Sequence, residues 1–274
     1  MYNVLSGREA AKAVLERIEE KVSKMKTKPH LAIVLVGNDP ASEIYVKKKI
    51  DRAAKVGVKT TLKRLSETAT EGAVLSLVDE LNNDGDVDGF IVQAPLPKQI
   101  DYNKVLEAIK PEKDVDGWTP ASMGKMVSGV KTFKPATPLG VMKILEHYNV
   151  EISGKNVTVI GRSNVVGKPL ALMLLEKNAT VTVCHSKTKN LVEHTRNADI
   201  LVVAVGKPGL VTADMVKEGA YVIDVGTTRV DDKLRGDVDF DNVIKKAHCS
   251  PVPGGVGPMT VAMLISNVVE AHEG

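Results

Sequence analysis

Tyr45 and Lys49 stand four residues apart in the helix expected after Asp39-Pro40, so they share one face. An aromatic plate beside an ammonium group near a strand's C-terminal end can hold a flat ring and set a cation or proton donor against it. Lys47, Lys48 and Lys49 run together, though, and such a run is commonly a helix's wet face. Spacing does not choose Lys49 over Lys48, which lies three from Tyr45. Gln93 closes the apolar strand Gly89-Phe-Ile-Val92 ahead of Pro95 and Pro97, which stop pairing. Its amide can bond the Lys49 amine or a ligand, or simply face solvent. Asp116, in Asp114-Val-Asp-Gly117, accepts hydrogen bonds from an amino-heterocycle if it lies in a cleft and only shapes a turn if it lies on the surface. The same four letters recur at Asp86–Gly89, so the tetrapeptide itself is ordinary turn chemistry. Asp84 to Gly89 imitates the start of a calcium loop, but Pro95 occupies the position due for the bidentate Glu, and calcium is rejected. No metal site is expected.

A second constellation lies at Lys155–Glu176. The β-branched run Val157–Ile160 stops at Gly161, turns through polar residues to Gly167, and continues as a helical pattern through Leu170, Leu174 and Leu175. Strand, glycine turn and helix N-terminus together suit a phosphate or pyrophosphate. The glycines are six apart with none between, so the G-x-G-x-x-G fingerprint is incomplete. After the next strand, Thr180–Cys184, an NAD site usually keeps an acid for the ribose 2′-hydroxyl. This chain has His185-Ser186-Lys187 there and Arg162 in the glycine turn, which argues for a 2′-phosphate and hence NADP. Ser250–Thr260, with its three prolines and three glycines, reads as a shaped loop before the last helix, either approaching a ligand or capping that helix.

The elements that must position these groups alternate. Helices are expected to about Met25, at Pro40–Val56, near Thr70–Asn83 and near Tyr102–Ile109, with strands at His30–Val36, Val58–Leu65 and Gly89–Val92. Lys110–Pro138 breaks into Pro-, Gly- and Asp-punctuated sequence and reads as a domain connection. A helix at Leu139–Tyr148 leads into the glycine stretch. Strands near Ile200–Ala204 and Tyr221–Asp224 follow, then helices near Asn242–Ala247 and from about Met259 to Ala271. Repeated βα units imply parallel sheets, and two such halves imply two α/β domains flanking a cleft.

Composition sets the outer limits. The 274 residues are 43% hydrophobic, enough for a substantial core, and the net charge is +3 with no dense basic block. With aromatics at 3%, nothing points to nucleic acid. Apolar runs such as Leu31–Val36 fall far short of the ~20 residues of a membrane span. The N-terminal helix lacks the core and cleavage site of a signal peptide, so a cytoplasmic, reducing location with free Cys184 and Cys249 is expected.

Over essentially its full length the chain resembles the methylenetetrahydrofolate dehydrogenase/methenyltetrahydrofolate cyclohydrolase family. The resemblance rests on Val36–Tyr45 with Lys49, Val92–Pro97, Pro111–Gly117, Pro135–Pro138, Gly161–Ser163 with Val166-Gly167, Cys184–Lys187 and Pro251–Thr260. It implies a folate-binding catalytic domain over 1–135, completed by a final helix at about 259–274, and a Rossmann-type NADP-binding domain over 136–258, in a homodimer. It also implies oxidation of 5,10-methylenetetrahydrofolate to the 5,10-methenyl form with NADP, then hydrolysis to 10-formyltetrahydrofolate. Carried over, Lys49 is the catalytic lysine, Gln93 orients it, Tyr45 stacks on the folate and Asp116 anchors the pterin. Val92, Gln93 and Ala94 line the substrate site together with Pro253, Gly254, Gly255, Val256 and Gly257. Gly161, Arg162, Ser163, Val166, Ser186 and Thr227 hold NADP. The chain departs from the family's usual residues at Ala94, Ala136, Ser250 and Thr227-Thr228, and Thr227 lies near the expected cofactor edge.

Overall fold

The computed structural model describes residues 2–274. They form two compact units: Ala13–Ala136 with Val261–Gly274, and the residues up to Lys12 with Thr137–Thr260. All three divisions fall inside helices: the first within α1 (Gly7–Ser23), the second at the start of the helix that begins at Ala136, and the last within the C-terminal helix.

In the first unit β1 (His30–Val36) is buried at every position. It is the centre of a parallel sheet ordered β2-β1-β3, with β2 spanning Lys59–Leu65 and β3 Gly89–Val92. A central parallel strand is covered on both faces, so His30-Leu-Ala-Ile-Val-Leu-Val36 is a continuous apolar run rather than an alternating one. Between the strands run α2 (Pro40–Lys55) and α3 (Glu71–Asn83). On one face Ala32, Val34 and Val36 pack with Val74, Val78 and Leu81 of α3 and with Phe90 and Val92. The start of α2 is fixed locally. Asp39 caps it by accepting from the Ser42 N–H at 2.8 Å, with Pro40 in its first turn. Gly57, at φ +77°, provides the left-handed stop after it.

The stretch expected as a bare connection carries structure of its own. After α4 (Tyr102–Ala108), Asp114 pairs in a parallel bridge with Phe90, and α5 (Pro120–Val127) starts at a Thr119 cap. Prolines and glycines there mark turns around a short helix, which a breaker count reads as loop. The division between units falls at Ala136, where α6 (Ala136–His147) begins.

The second unit carries a five-stranded parallel sheet. Its strands are β4 (Asn156–Ile160), β5 (Thr180–Cys184), β6 (Ile200–Val203), β7 (Tyr221–Asp224) and β10 (His248–Cys249), ordered β10-β7-β6-β4-β5. In chain order within this unit that is the doubly wound 2-1-3-4-5 arrangement, with its switch point between β4 and β6. Helices α7 (Gly167–Glu176), α8 (Leu191–Arg196) and α9 (Phe240–Val243) accompany it, together with a hairpin of β8 (Thr228–Val230) and β9 (Lys233–Arg235). The hairpin is an addition to the expected elements. Its turn puts Asp231 and Asp232 at φ +47° and +57°, a conformation Asp tolerates better than most residues. The helix expected at Asn242–Ala247 is shorter and earlier, at α9. The last helix, α10 (Val256–Glu273), starts three residues before its expected position, because Pro258 is acceptable in a first turn that needs no N–H. Among the described residues no helix is long and apolar enough to cross a membrane.

Candidate active site and nucleotide turn

Beyond β3 in the first unit, Gln93 continues the ladder through its N–H to the Val34 carbonyl at 2.9 Å. Its side chain is thereby fixed at the strand's C-terminal end. The Lys49 amine donates to Gln93 Oε1 at 3.0 Å, and Gln93 Nε2 donates to the Ala94 carbonyl at 2.7 Å. Both ends of the amide are used, so its orientation is set. Lys48 instead lies over the Tyr45 ring, 5.6 Å from its centroid. Geometry separates the two lysines that spacing left equivalent: Lys48, rather than Lys49, lies over the ring, and Lys49 meets Gln93. Tyr45 is 47% exposed, a surface plate rather than a core aromatic.

Asp116 lies near enough for its charge to be felt by Lys49. Burial depresses the lysine's proton affinity, and Asp116 partly opposes that effect. Burial in turn pushes the Asp116 carboxyl above the ordinary range; Lys49 pulls it down and Asp114 adds to the rise. Both residues keep partial solvent exposure, so the effect comes from dense surroundings rather than complete enclosure. Tyr102, at the start of α4, is part of the same electrostatic group: burial, then Asp116, then Asp114 raise its phenol. In the sequence Tyr102 stands out only as a helix start. Its position just after the Asp101 cap was the available signal.

The Asp116 loop is held from within. Asp114 is 1% exposed and accepts from the N–H groups of Trp118 (3.2 Å) and Thr119 (2.8 Å) and from Ser122 Oγ (2.7 Å). Gly117, at φ +67°, has the Phe133 carbonyl 2.8 Å from where a Cβ would stand. The two Asp residues of the tetrapeptide therefore differ: Asp114 ties the turn together and Asp116 is left for other partners. Val92 is 4% exposed in the sheet core, which confines what it can offer a ligand to its backbone.

In the second unit, Gly161 follows β4 at φ +130°, and an added Cβ would lie 2.5 Å from the Ala204 carbonyl just beyond β6. Gly167 starts α7 close against Gly161, an added Cβ meeting that residue's carbonyl at 2.1 Å. The glycines thus let strand, turn and helix close up at the switch point, where open α/β sheets bind ligands. Ser163 Oγ accepts from the N–H groups of Val166 (3.1 Å) and Gly167 (3.4 Å), shaping the turn while its own hydroxyl proton stays free to donate. Arg162, Ser186 and Thr227 are exposed. Among the described residues the Arg162 guanidinium has no ion-pair or hydrogen-bond partner. A cradle that only glycine permits and an exposed cation beside it fit a phosphorylated dinucleotide.

The Pro-Gly loop is more structural than its composition suggests. Gly254 and Gly255 are buried, and an added Cβ at Gly7 would fall 1.8 Å from the Gly255 carbonyl. Arg8 N–H bonds the Gly254 carbonyl at 3.1 Å. Val256 is buried in the first turn of α10, while Pro253 and Gly257 are exposed. A Gly167→Ala substitution tests the cradle: with its Cβ against backbone, stability falls by about 1–3 kcal/mol, readable as a lowered Tm.

A doubly wound unit with a glycine turn at its switch point, and a separate parallel α/β unit in which a lysine meets a strand-end amide, are the architecture of a nucleotide-dependent α/β enzyme. Residues 5–116 match the catalytic domain of tetrahydrofolate dehydrogenase/cyclohydrolase and residues 135–274 match that family's NAD(P)-binding domain. The chain belongs to the tetrahydrofolate dehydrogenase/cyclohydrolase family. The bifunctional protein FolD of Agathobacter rectalis is 51% identical, over 99% of this chain and 99% of that protein. The Campylobacter jejuni FolD crystal structure superposes with a TM-score of 0.98 at 44% identity, covering 100% of this chain and 99% of that one. The Trypanosoma brucei enzyme, solved with NADP and an inhibitor, gives a TM-score of 0.94 at 38% identity, covering 99% and 97%.

Proposed function

We propose that the chain oxidises 5,10-methylenetetrahydrofolate with NADP and hydrolyses the resulting 5,10-methenyltetrahydrofolate to 10-formyltetrahydrofolate, with Lys49 as the acid–base group of the hydrolysis. The observation that carries this is the Lys49 amine donating to a neutral amide at 3.0 Å, in surroundings whose burial lowers its proton affinity. The methenyl carbon is an amidinium-like electrophile, so water adds once it is placed and loses a proton. A neutral amine can take that proton, and an ordinary surface lysine is almost fully protonated at neutral pH. Gln93 holds the amine without the charge that would keep it an ammonium. Asp116, its carboxyl raised above the ordinary range by burial and drawn back by Lys49, can accept hydrogen bonds from the pterin's amino and ring N–H groups, and Tyr45 offers its face to a flat part of the folate.

The unit holding Gly161 and Gly167 is the NADP-binding domain in this reading, and the unit holding Lys49 is the folate domain. When bound, the nicotinamide supplies the hydride acceptor. Gly161, Ser163 and Val166 would hold the pyrophosphate side, with Arg162 and Ser186 reading the 2′-phosphate and Thr227 standing at the cofactor's edge. Pro253 and Gly257 are exposed in the Pro-Gly loop, and the family resemblance alone assigns that loop to substrate binding. Family likeness supports a homodimer and a cytoplasmic location.

The experiment follows ultraviolet absorbance after mixing protein, methylenetetrahydrofolate and NADP, with NAD in a parallel cuvette. NADPH should rise with little methenyl accumulation. Stoichiometric methenyl leaves only the dehydrogenase, and no signal with either cofactor ends the reading. A further prediction concerns Arg162→Ala. Charge-assisted hydrogen bonds are worth about 1.5–3 kcal/mol, and solvent exposure places Arg162 at the lower end, so KM for NADP rises about tenfold. The KM for NAD should barely move; equal losses for both cofactors would remove the 2′-phosphate assignment.

A further inference from the structure

We propose that Asp237, supported by Asp224, is a positioning residue for cofactor binding, acting by holding the loop at the sheet's switch point. Neither side chain belongs to the glycine turn. Asp237 lies after the β8–β9 hairpin, far in sequence from the loop it grips, and is 0% exposed. Its Oδ2 accepts from the N–H groups of Val205 (2.7 Å) and Gly206 (3.0 Å), and its Oδ1 from that of Lys207 (2.6 Å). Those three residues are the turn that leaves β6, and the Ala204 carbonyl just before it is the atom that an added Cβ on Gly161 would meet first. The carboxylate therefore holds the wall of the crevice opposite the glycine turn, on the β6 side of the switch point.

Asp224 holds the holder. It ends β7, is 3% exposed, and accepts from the Gly226 (3.0 Å) and Asp237 (3.0 Å) N–H groups at Oδ1 and from Val238 N–H (2.9 Å) at Oδ2. Its own N–H donates to Ser250 Oγ at 2.8 Å, at the start of the Pro-Gly loop. One buried relay so joins the turns after β6 and β7 to the segment after β10, all at the C-terminal edge of one sheet. Two glycines make room for it. A Cβ on Gly226 would lie 2.1 Å from the Asp237 carboxyl carbon, and one on Gly236 would lie 2.0 Å from Asp224 Oδ2. Burial pushes the Asp224 carboxyl up to about 6 and the neighbouring Asp237 adds to the rise, a burden that a loop with only a connecting role would not require. Six backbone donors aimed at the two carboxylates fix the edge against which a ligand at the switch point must rest.

The variant Asp237→Asn separates positioning from folding. An amide cannot replace the carboxylate in either orientation: its NH2 must face either the Lys207 N–H or the pair from Val205 and Gly206. The inference rests on the NADP reading, so wild type is titrated with NADP in parallel, by quenching of protein fluorescence. Failure of wild type to bind would sink that reading rather than this one. With wild-type binding established, Asp237→Asn should weaken NADP binding about tenfold or more, since unsatisfied buried donors leave the loop free to move. Hydrolysis of methenyltetrahydrofolate without cofactor should persist, because Lys49 and Gln93 belong to the other unit. Unchanged NADP affinity in folded Asp237→Asn overturns the proposal, as do equal losses of hydrolysis and NADP binding. If that variant does not fold, Gly226→Ala, which pushes on the same carboxylate, is read by the same two measurements, and failure of both to fold would make the pair a folding device and overturn it.

Discussion

Lys49→Met should lose hydrolysis of methenyltetrahydrofolate by about 10²- to 10⁴-fold, the usual worth of a positioned acid–base group, while the NADP titration stays at its wild-type value. Methionine keeps an unbranched apolar stem of similar length on α2 and deletes the amine. The loss is therefore chemical rather than a cavity effect. Gln93 Oε1 is left without its donor, but the residue is partly exposed and water can take that place. The measurement is the decay of methenyl absorbance with substrate in excess and no cofactor, beside a fluorescence titration with NADP. Wild-type decay would remove Lys49 from the mechanism. Lys48→Met, one position back on the same helix, should cost little, since Lys48 rests on an exposed aromatic ring and its ammonium has solvent on its other sides.

That contrast marks where sequence stops being informative. The central strands were legible because β1, β3 and β6 are apolar at nearly every position and β4 runs β-branched from Val157 to Ile160, and the glycine turn was legible because Gly161 and Gly167 interrupt a strand and open a helix. The family resemblance named Lys49, yet local spacing gave Lys48 an equal claim. What separates them is a hydrogen bond spanning 44 positions in the chain, and no local pattern encodes it. The same holds for Asp237, which reads in sequence as one more acidic residue in a Gly-Asp turn. It becomes a clamp only when β8 and β9 fold back and set it under the end of β6. Leu5 N–H bonding the Cys249 carbonyl at 2.9 Å likewise joins the first residues of the chain to its last strand and draws them into the second unit. Breaker residues misled in the other direction: Pro120 starts α5 and Pro258 lies in the first turn of α10, both positions where the missing N–H has no partner to lose.

Gln93→Glu should move the hydrolysis pH profile to the alkaline side without abolishing the reaction. The new carboxylate would stand about where Oε1 now accepts from the amine at 3.0 Å. Burial presently depresses the lysine's affinity for its proton, with the Asp116 charge opposing it only in part. A second anion in contact reverses that balance, and an opposite charge at this range raises an amine's pKa by about 1–3 units. The amine works when neutral, so the rising limb of rate against pH follows its pKa upward. At a fixed pH below that limb the rate falls about tenfold per unit of displacement. The substitution would also set an acceptor against the Ala94 carbonyl, where Nε2 now donates at 2.7 Å, so some loss of alignment accompanies the change. The two effects separate in the profile. Lost alignment lowers the rate at every pH, whereas a proton held more tightly lowers it at neutral pH and gives it back in alkali. A profile lowered throughout with its limb unmoved would mean that Gln93 only orients Lys49, and that the neutrality of its amide is not what keeps the lysine reactive.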